Sequence, residues 1–196
     1  MSKPKILAFA GSLRTGSFNK KLAHAGARMA REAGADVTTI DLRDFPLPIY
    51  DEDVENASGL PENAKALKKL FLDHHGLLIA APEYNGSMSA VFKNTIDWLT
   101  RPMGYDGKPE VPYACFLNKV CGLYAASPGA LGGLRGLAHV RALLSHVQVL
   151  VIPQQFALAK AHEAFDAEGE IKDPKQRDFA KSVAVALVES CRKFHA

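Results

Sequence analysis

"KILAFAGSLRTGSFNKKL", residues 5–22, runs from an apolar stretch through a turn into a segment with helical spacing. Residues 5–10 follow one another without polar alternation, the pattern of a strand buried on both faces. The turn carries Gly11 and Gly16, the hydroxyls of Ser12, Thr15 and Ser17, and the planar donor fork of Arg14. A helix starting near Ser17 to Asn19 aims its free N–H groups and positive dipole end at the same spot. That combination predicts an anion cradle; the plainer reading is a polar loop that only caps a helix. Ser17 stands where a Walker loop has lysine, and Leu13 where the G-x-G-x-x-G fingerprint has its second glycine. A single terminal monophosphate is therefore the better fit.

Outward from this stretch the chain alternates between two patterns. Apolar runs at 5–10, 35–42, 76–81, 120–127 and 147–152 read as strands. Helical spacing separates them, as in Leu22, Gly26, Met29 and Ala33, or Met88, Val91, Phe92, Thr95, Ile96 and Leu99, and a closing helix carries Phe179, Val183, Leu187 and Phe194. Strand–helix alternation predicts a parallel sheet with helices on both faces. Two turn-rich stretches, 43–62 and 101–119, read as surface excursions, and residues 161–173 as a hairpin-like connection; residues 1–196 are expected to form a single domain.

Composition narrows the function classes. The 196 residues are 47% hydrophobic and 23% charged with a net charge of +3, which predicts a globular protein without a nucleic-acid face or a membrane span. The short apolar N-terminal run predicts a strand and not a signal peptide. Cys115, Cys121 and Cys191 lack CxxC spacing and read as buried, reduced thiols of a cytoplasmic protein. His74 and His75 are adjacent, so they point in different directions; the reading is a helix C-terminus, with no metal site.

Ligands of an open parallel sheet bind outside the carboxyl ends of its strands. Three loops are due there. The second, "PEYNGSMS" (82–89), stops a strand at Pro82, then offers Asn85 and Gly86, which tolerate positive φ, and the aromatic Tyr84. Backbone N–H groups turned into a cleft there suit a flat heteroaromatic ring. The third, "SPGALGGLRG" (127–136), has four glycines, expected where backbone lies against a ligand, and Ser127 at the strand end.

"GSLRTGSFNKKL" together with "PEYNGSMSAVFKNTIDWLTRP" resembles the NADPH-dependent FMN reductase family, in particular its soluble quinone, chromate and azo-dye reductases; "FPLPIYDED" and "AFDAEGEIKD" match as well. The resemblance implies a flavodoxin-like α/β three-layer sandwich, a five-stranded parallel sheet of order 2-1-3-4-5 with helices on both faces, holding FMN noncovalently. It implies Ser12, Arg14, Ser17, Phe18 and Asn19 around the FMN phosphate, and Pro82, Glu83, Tyr84, Asn85, Gly86 and Ser87 along the isoalloxazine. Ser127, Gly129 and Gly132 close the other side. NADPH or NADH would donate hydride, and quinones, chromate, azo compounds or free flavin would accept electrons in a ping-pong order with no obligatory catalytic side chain. Arg101 is the candidate for contacting an anionic acceptor, or else for an inter-subunit ion pair. The resemblance also implies a homodimer or homotetramer, and Trp98 on the third helix is an expected contact. Ser89 departs from the family pattern, which commonly has proline, and is expected to loosen the start of that helix. Two rivals are a flavodoxin-type electron carrier, whose usual strong acidity is missing here, and a Rossmann-type NAD enzyme with Asp41 as its ribose-binding acid.

Overall fold

The computed structural model describes residues 3–103 and 110–195, so the middle of the second surface excursion lies outside the described residues. Strands β1 (Lys5–Ala10), β2 (Asp36–Thr39) and β3 (Gly76–Ala80) are followed by a short hairpin, β4 (Glu83–Tyr84) and β5 (Ser87–Met88), and then by β6 (Val120–Ala126) and β7 (Leu150–Leu158). The helices are α1 (Phe18–Glu32), α2 (Glu52–Ser58), α3 (Glu62–Asp73), α4 (Ala90–Leu99), α5 (Leu134–His146) and α6 (Pro174–Phe194). The main sheet has five strands in the order β2-β1-β3-β6-β7, every neighbouring pair parallel. Leaving the hairpin aside, this is the flavodoxin-like order 2-1-3-4-5.

Side chains alternate along each strand, and both faces are covered. Ile6, Ala8, Leu78 and Tyr124 pack under α1 and α6, among Leu22, Ala27, Val183 and Leu187. Leu7, Phe9, Ile79 and Leu123 pack on the other side with Leu67, Phe71, Phe92, Ile96 and Leu137. A sheet buried on both faces explains the unbroken apolar runs of the sequence.

Three details differ from the pattern expected of the sequence. Strand β7 continues through Pro153, where the apolar run ends, to Leu158. Pro153 lacks an N–H, but β7 is an edge strand, and its register against β6 shifts between Cys121 and Leu123, at the proline. The first excursion contains α2, whose N-cap Asp51 accepts from Asp53 N at 2.9 Å. Trp98 is fully buried: its Nε1 donates to Pro48 O at 2.8 Å and its ring meets Tyr50 edge-on, so it offers no surface for assembly.

The connection at 161–173 does fold back on itself, through an antiparallel bridge between Phe165 and Ile171. His74 caps the C-terminus of α3 and is buried, its ring nitrogens 2.6 Å from Leu70 O and 2.8 Å from Thr38 Oγ1. His75 instead accepts from Lys5 N, facing a different part of the chain. Cys115, Cys121 and Cys191 are free and buried, and burial raises all three thiols, Cys115 and Cys191 to about 12. Among the described residues no helix is long and apolar enough to cross a membrane.

Candidate functional site

At the carboxyl edge of the sheet, three loops are tied to one another by buried polar side chains. Asn19, in the first turn of α1, donates from Nδ2 to Ala126 O at 2.8 Å and accepts at Oδ1 from Ala126 N at 2.9 Å, joining the first loop to the end of β6. Ser89 donates to Gly11 O at 2.6 Å and caps α4 by accepting from Phe92 N, joining the first loop to the second. Far from loosening the start of α4, Ser89 replaces the stiffness of a proline with a cap and a tether. The second and third loops meet through Glu83, which accepts from Arg135 Nε at 2.9 Å and Gly136 N at 3.1 Å.

The first loop presents donors. Its helix begins with Ser17 at the N-cap, yet no side chain caps it and no acidic residue stands in its first turn. Side chains cap the starts of α2, α4 and α6, whereas α3, entered through Pro61, and α5, entered through Gly133, lack such a cap as α1 does. An uncapped helix start leaves N–H groups and a positive dipole end for an anion. Ser12 and Ser17 are buried, while Arg14 is exposed and its guanidinium lies 5.1 Å from the Phe18 ring centroid.

Arg43 was not foreseen. Its Nη1 donates to Thr15 Oγ1 at 2.7 Å, so a second guanidinium reaches the loop. Asp41 holds it there, accepting from Arg43 N at 3.0 Å and pairing with Lys20 at 2.6 Å. Burial pushes the Asp41 carboxyl up, but the bonds from Lys20 and the Arg43 backbone outweigh this and keep it below the usual carboxylate range. Asp41 is thus engaged in organising cations. Arg43 could have been found from topology alone, because β2 neighbours β1 in this sheet order and the residues after it must lie beside the first loop.

The second loop is a two-residue β-hairpin. Tyr84 pairs with Ser87, and between them Asn85 and Gly86 have φ of 52° and 78°. Positive φ at both central residues is the hairpin turn whose twist suits the flanking strands, and Asn-Gly is its preferred sequence. Tyr84 is exposed, as are Leu13 and Leu131 on the neighbouring loops, which gives the rim an apolar character.

Two roles expected of the third loop and its neighbours change. Gly132 does not open space for a ligand: a Cβ there would come within 2.7 Å of Ala159 N and Leu158 C, so the glycine lets this loop lie against the end of β7. Ser127 accepts at Oγ from Gly129 N at 3.1 Å and at its carbonyl from Ala161 N, which shapes the turn. The side chains of Asn19 and Glu83 are committed to scaffolding. Arg101 lies away from these loops: its Nε donates to both carboxylate oxygens of Glu55, at 2.9 and 2.7 Å, and its guanidinium lies over Tyr50. That ion pair is within the chain.

Donors at one end and a hairpin with an apolar rim at the other fit a molecule with a phosphate and a flat ring. The chain is similar to known proteins. A 2-hydroxy-1,4-benzoquinone reductase of a Burkholderia species is 35% identical over 182 residues, 91% of each chain. An NAD(P)H-dependent FMN reductase of Pseudomonas aeruginosa is 34% identical over 93% of this chain and 92% of its own. Among solved structures, a flavoenzyme NAD(P)H:(acceptor) oxidoreductase of Paracoccus denitrificans superposes with a TM-score of 0.79 at 27% identity, covering 97% of this chain and 98% of that one. Residues 4–163 match the NADPH-dependent FMN reductase family, and the chain belongs to it.

Proposed function

We propose that the protein is an FMN-dependent NAD(P)H oxidoreductase that reduces quinones, with chromate, azo compounds and free flavin as further acceptors. The observation that carries this reading is the set of cross-tied loops around an uncapped helix start, with two arginines converging on it. The first loop would hold the phosphate through Ser12, Arg14, Ser17 and the backbone N–H groups of Phe18 and Asn19. Arg43 would add a second charge. The hairpin from Pro82 to Ser87 would align the ring through its backbone, and Ser127 and Gly129 would bound the opposite side. FMN, when bound, supplies the redox chemistry as a carrier between the nicotinamide nucleotide and the acceptor, in a ping-pong order. The chain's part is to bind, orient and exclude water, and no side-chain acid or nucleophile is assigned. The exposed rim, with Tyr84 and Leu131, leaves room for flat acceptors of differing outline. The reading includes a single cytoplasmic domain over residues 1–196. It also includes a homodimer or homotetramer, in which exposed Ile49, the neighbour of the Tyr50 that α4 holds through Asn94, takes the place of the buried Trp98.

A carrier without its own substrate is disfavoured by the net charge of +3, since carriers dock basic partners through acidic surfaces. The deciding experiment is the visible spectrum of the purified protein, followed by NADPH. A yellow protein that bleaches within seconds and consumes NADPH repeatedly with a benzoquinone is a reductase. A colourless protein that takes up no added FMN would overturn the reading.

The hairpin makes its own prediction. Asn85→Ala keeps the donor but strains a positive φ, and should weaken flavin binding a fewfold. Asn85→Pro forbids that φ and removes the N–H, and should weaken binding at least tenfold more. Titration of flavin fluorescence measures both; equal mild losses would show that the hairpin does not touch the ring.

A further inference from the structure

The β4–β5 hairpin has only two residues in each strand, too little to hold its own orientation in water. Something outside it must aim its turn. Among the described residues the helix packed on it is α5, which touches the hairpin along its first turns. Gly136 has no side chain to hold the two apart: a Cβ there would lie 3.1 Å from Glu83 Cβ and 3.2 Å from Ser87 O. His139 adds a bond across the same seam, with Nδ1 2.8 Å from Ser87 Oγ.

Glu83 is the centre of this seam. The N-cap of α5 is Gly133, which has no side chain to satisfy the helix's first N–H groups. The Glu83 carboxylate does it instead, taking the Gly136 N–H on one oxygen and the Arg135 guanidinium on the other, the latter at 2.6 Å from Nη2. Its side chain is 9% exposed while that of Arg135 is 68% exposed, so the carboxylate is the buried, fixed partner. Successive residues of a strand point to opposite faces. With Glu83 drawn to α5, Tyr84 is turned the other way, and it is 52% exposed.

We propose that Glu83 is a positioning residue: its carboxylate, seated on the N-terminus of α5, sets the direction of the Tyr84–Gly86 backbone toward the flavin ring. The inference rests on the flavin reading given above. The net lowering of the Glu83 carboxyl, in which the bonds from Arg135 and Gly136 outweigh the upward push of burial, accords with an ionised group at neutral pH.

Ring positioning and phosphate binding leave different signatures. FMN and riboflavin share the ring and differ in the phosphate, so losing ring alignment should weaken both by the same factor. In fluorescence titrations Glu83→Ala is expected to lose about tenfold or more for both flavins, in line with a charged hydrogen-bonded partner. Glu83→Gln still accepts from Gly136 N and should recover most of that loss. The absorption band of bound flavin should shift in Glu83→Ala and return in Glu83→Gln, a readout that a mere helix cap would not move. Should Glu83→Ala fail to fold, Arg135→Met removes the exposed partner and is expected to show a smaller loss with the same FMN-to-riboflavin ratio. Affinities within twofold of the parent for both flavins, or a loss confined to FMN, would overturn the inference. A parent protein that binds neither flavin would overturn the flavin reading and this inference with it, and the two failures are told apart by the parent's own titration.

Discussion

Replacing Arg14 and Arg43 together by methionine is expected to weaken FMN binding by about a hundredfold and to leave riboflavin binding nearly unchanged. A hydrogen bond to a charged group contributes roughly 1.5–3 kcal/mol, and each ~1.4 kcal/mol is tenfold in affinity. Both guanidinium groups are exposed, which puts each near the low end, about tenfold. Their supports differ: Arg14 rests on Phe18, whereas Arg43 is held by Thr15 and, through its backbone, by Asp41. Methionine keeps an unbranched apolar stem while removing the guanidinium, its charge and, at position 14, its place over Phe18. Each single variant should show about half of the effect on a logarithmic scale, and raising the salt concentration should weaken FMN binding less in the double variant than in the parent. Equal losses for FMN and riboflavin would mean that neither arginine reads a phosphate.

Gly132→Ala is expected to lower the melting temperature by about 5–15 °C. The residue has φ of +62°, where a side chain costs roughly 1–2 kcal/mol. The added Cβ would also press on the backbone of Ala157, Leu158 and Ala159, at 2.7–2.8 Å. Backbone of a paired strand cannot swing aside as a flexible side chain can, so an overpacking cost of about 1–3 kcal/mol follows. In a domain of this size each ~1 kcal/mol moves the midpoint by roughly 2–4 °C. Gly129→Ala is the control, since its Cβ would meet only Ser127 Oγ at 3.5 Å, an ordinary contact. Similar melting curves for the two variants would show that the third loop can leave β7 at little cost.

The contrast between these glycines shows what was legible in the sequence. The five strands of the sheet and their order were, because patterning and family motifs both specify them. So was the hairpin turn's backbone, because Asn-Gly encodes it locally. The purpose of the third loop's glycines was not. Glycine density signals that something comes close, but a single sequence does not say whether that something is a ligand or the neighbouring strand. The same holds for Glu83 and Asn19, which lie in the right loops but spend their side chains on partners 53 and 107 residues away. Arg43 escaped notice for the opposite reason: its own segment has no motif, and only the pairing of β1 with β2 brings it to Thr15. Ser89 shows how a departure from family pattern can carry a compensating contact, its bond to Gly11 O, 78 residues away.

The buried thiols have a chemical consequence. Quinones are electrophiles that add to thiolates, and an enzyme that turns them over meets them at every cycle. Thiols held protonated, with Cys115 and Cys191 raised to about 12, and enclosed by the core are poor nucleophiles at neutral pH. The fold thereby withholds its own sulfur from the compounds it handles, and arylation of the catalyst by its substrate becomes a matter of how often the core opens rather than of how often the substrate arrives.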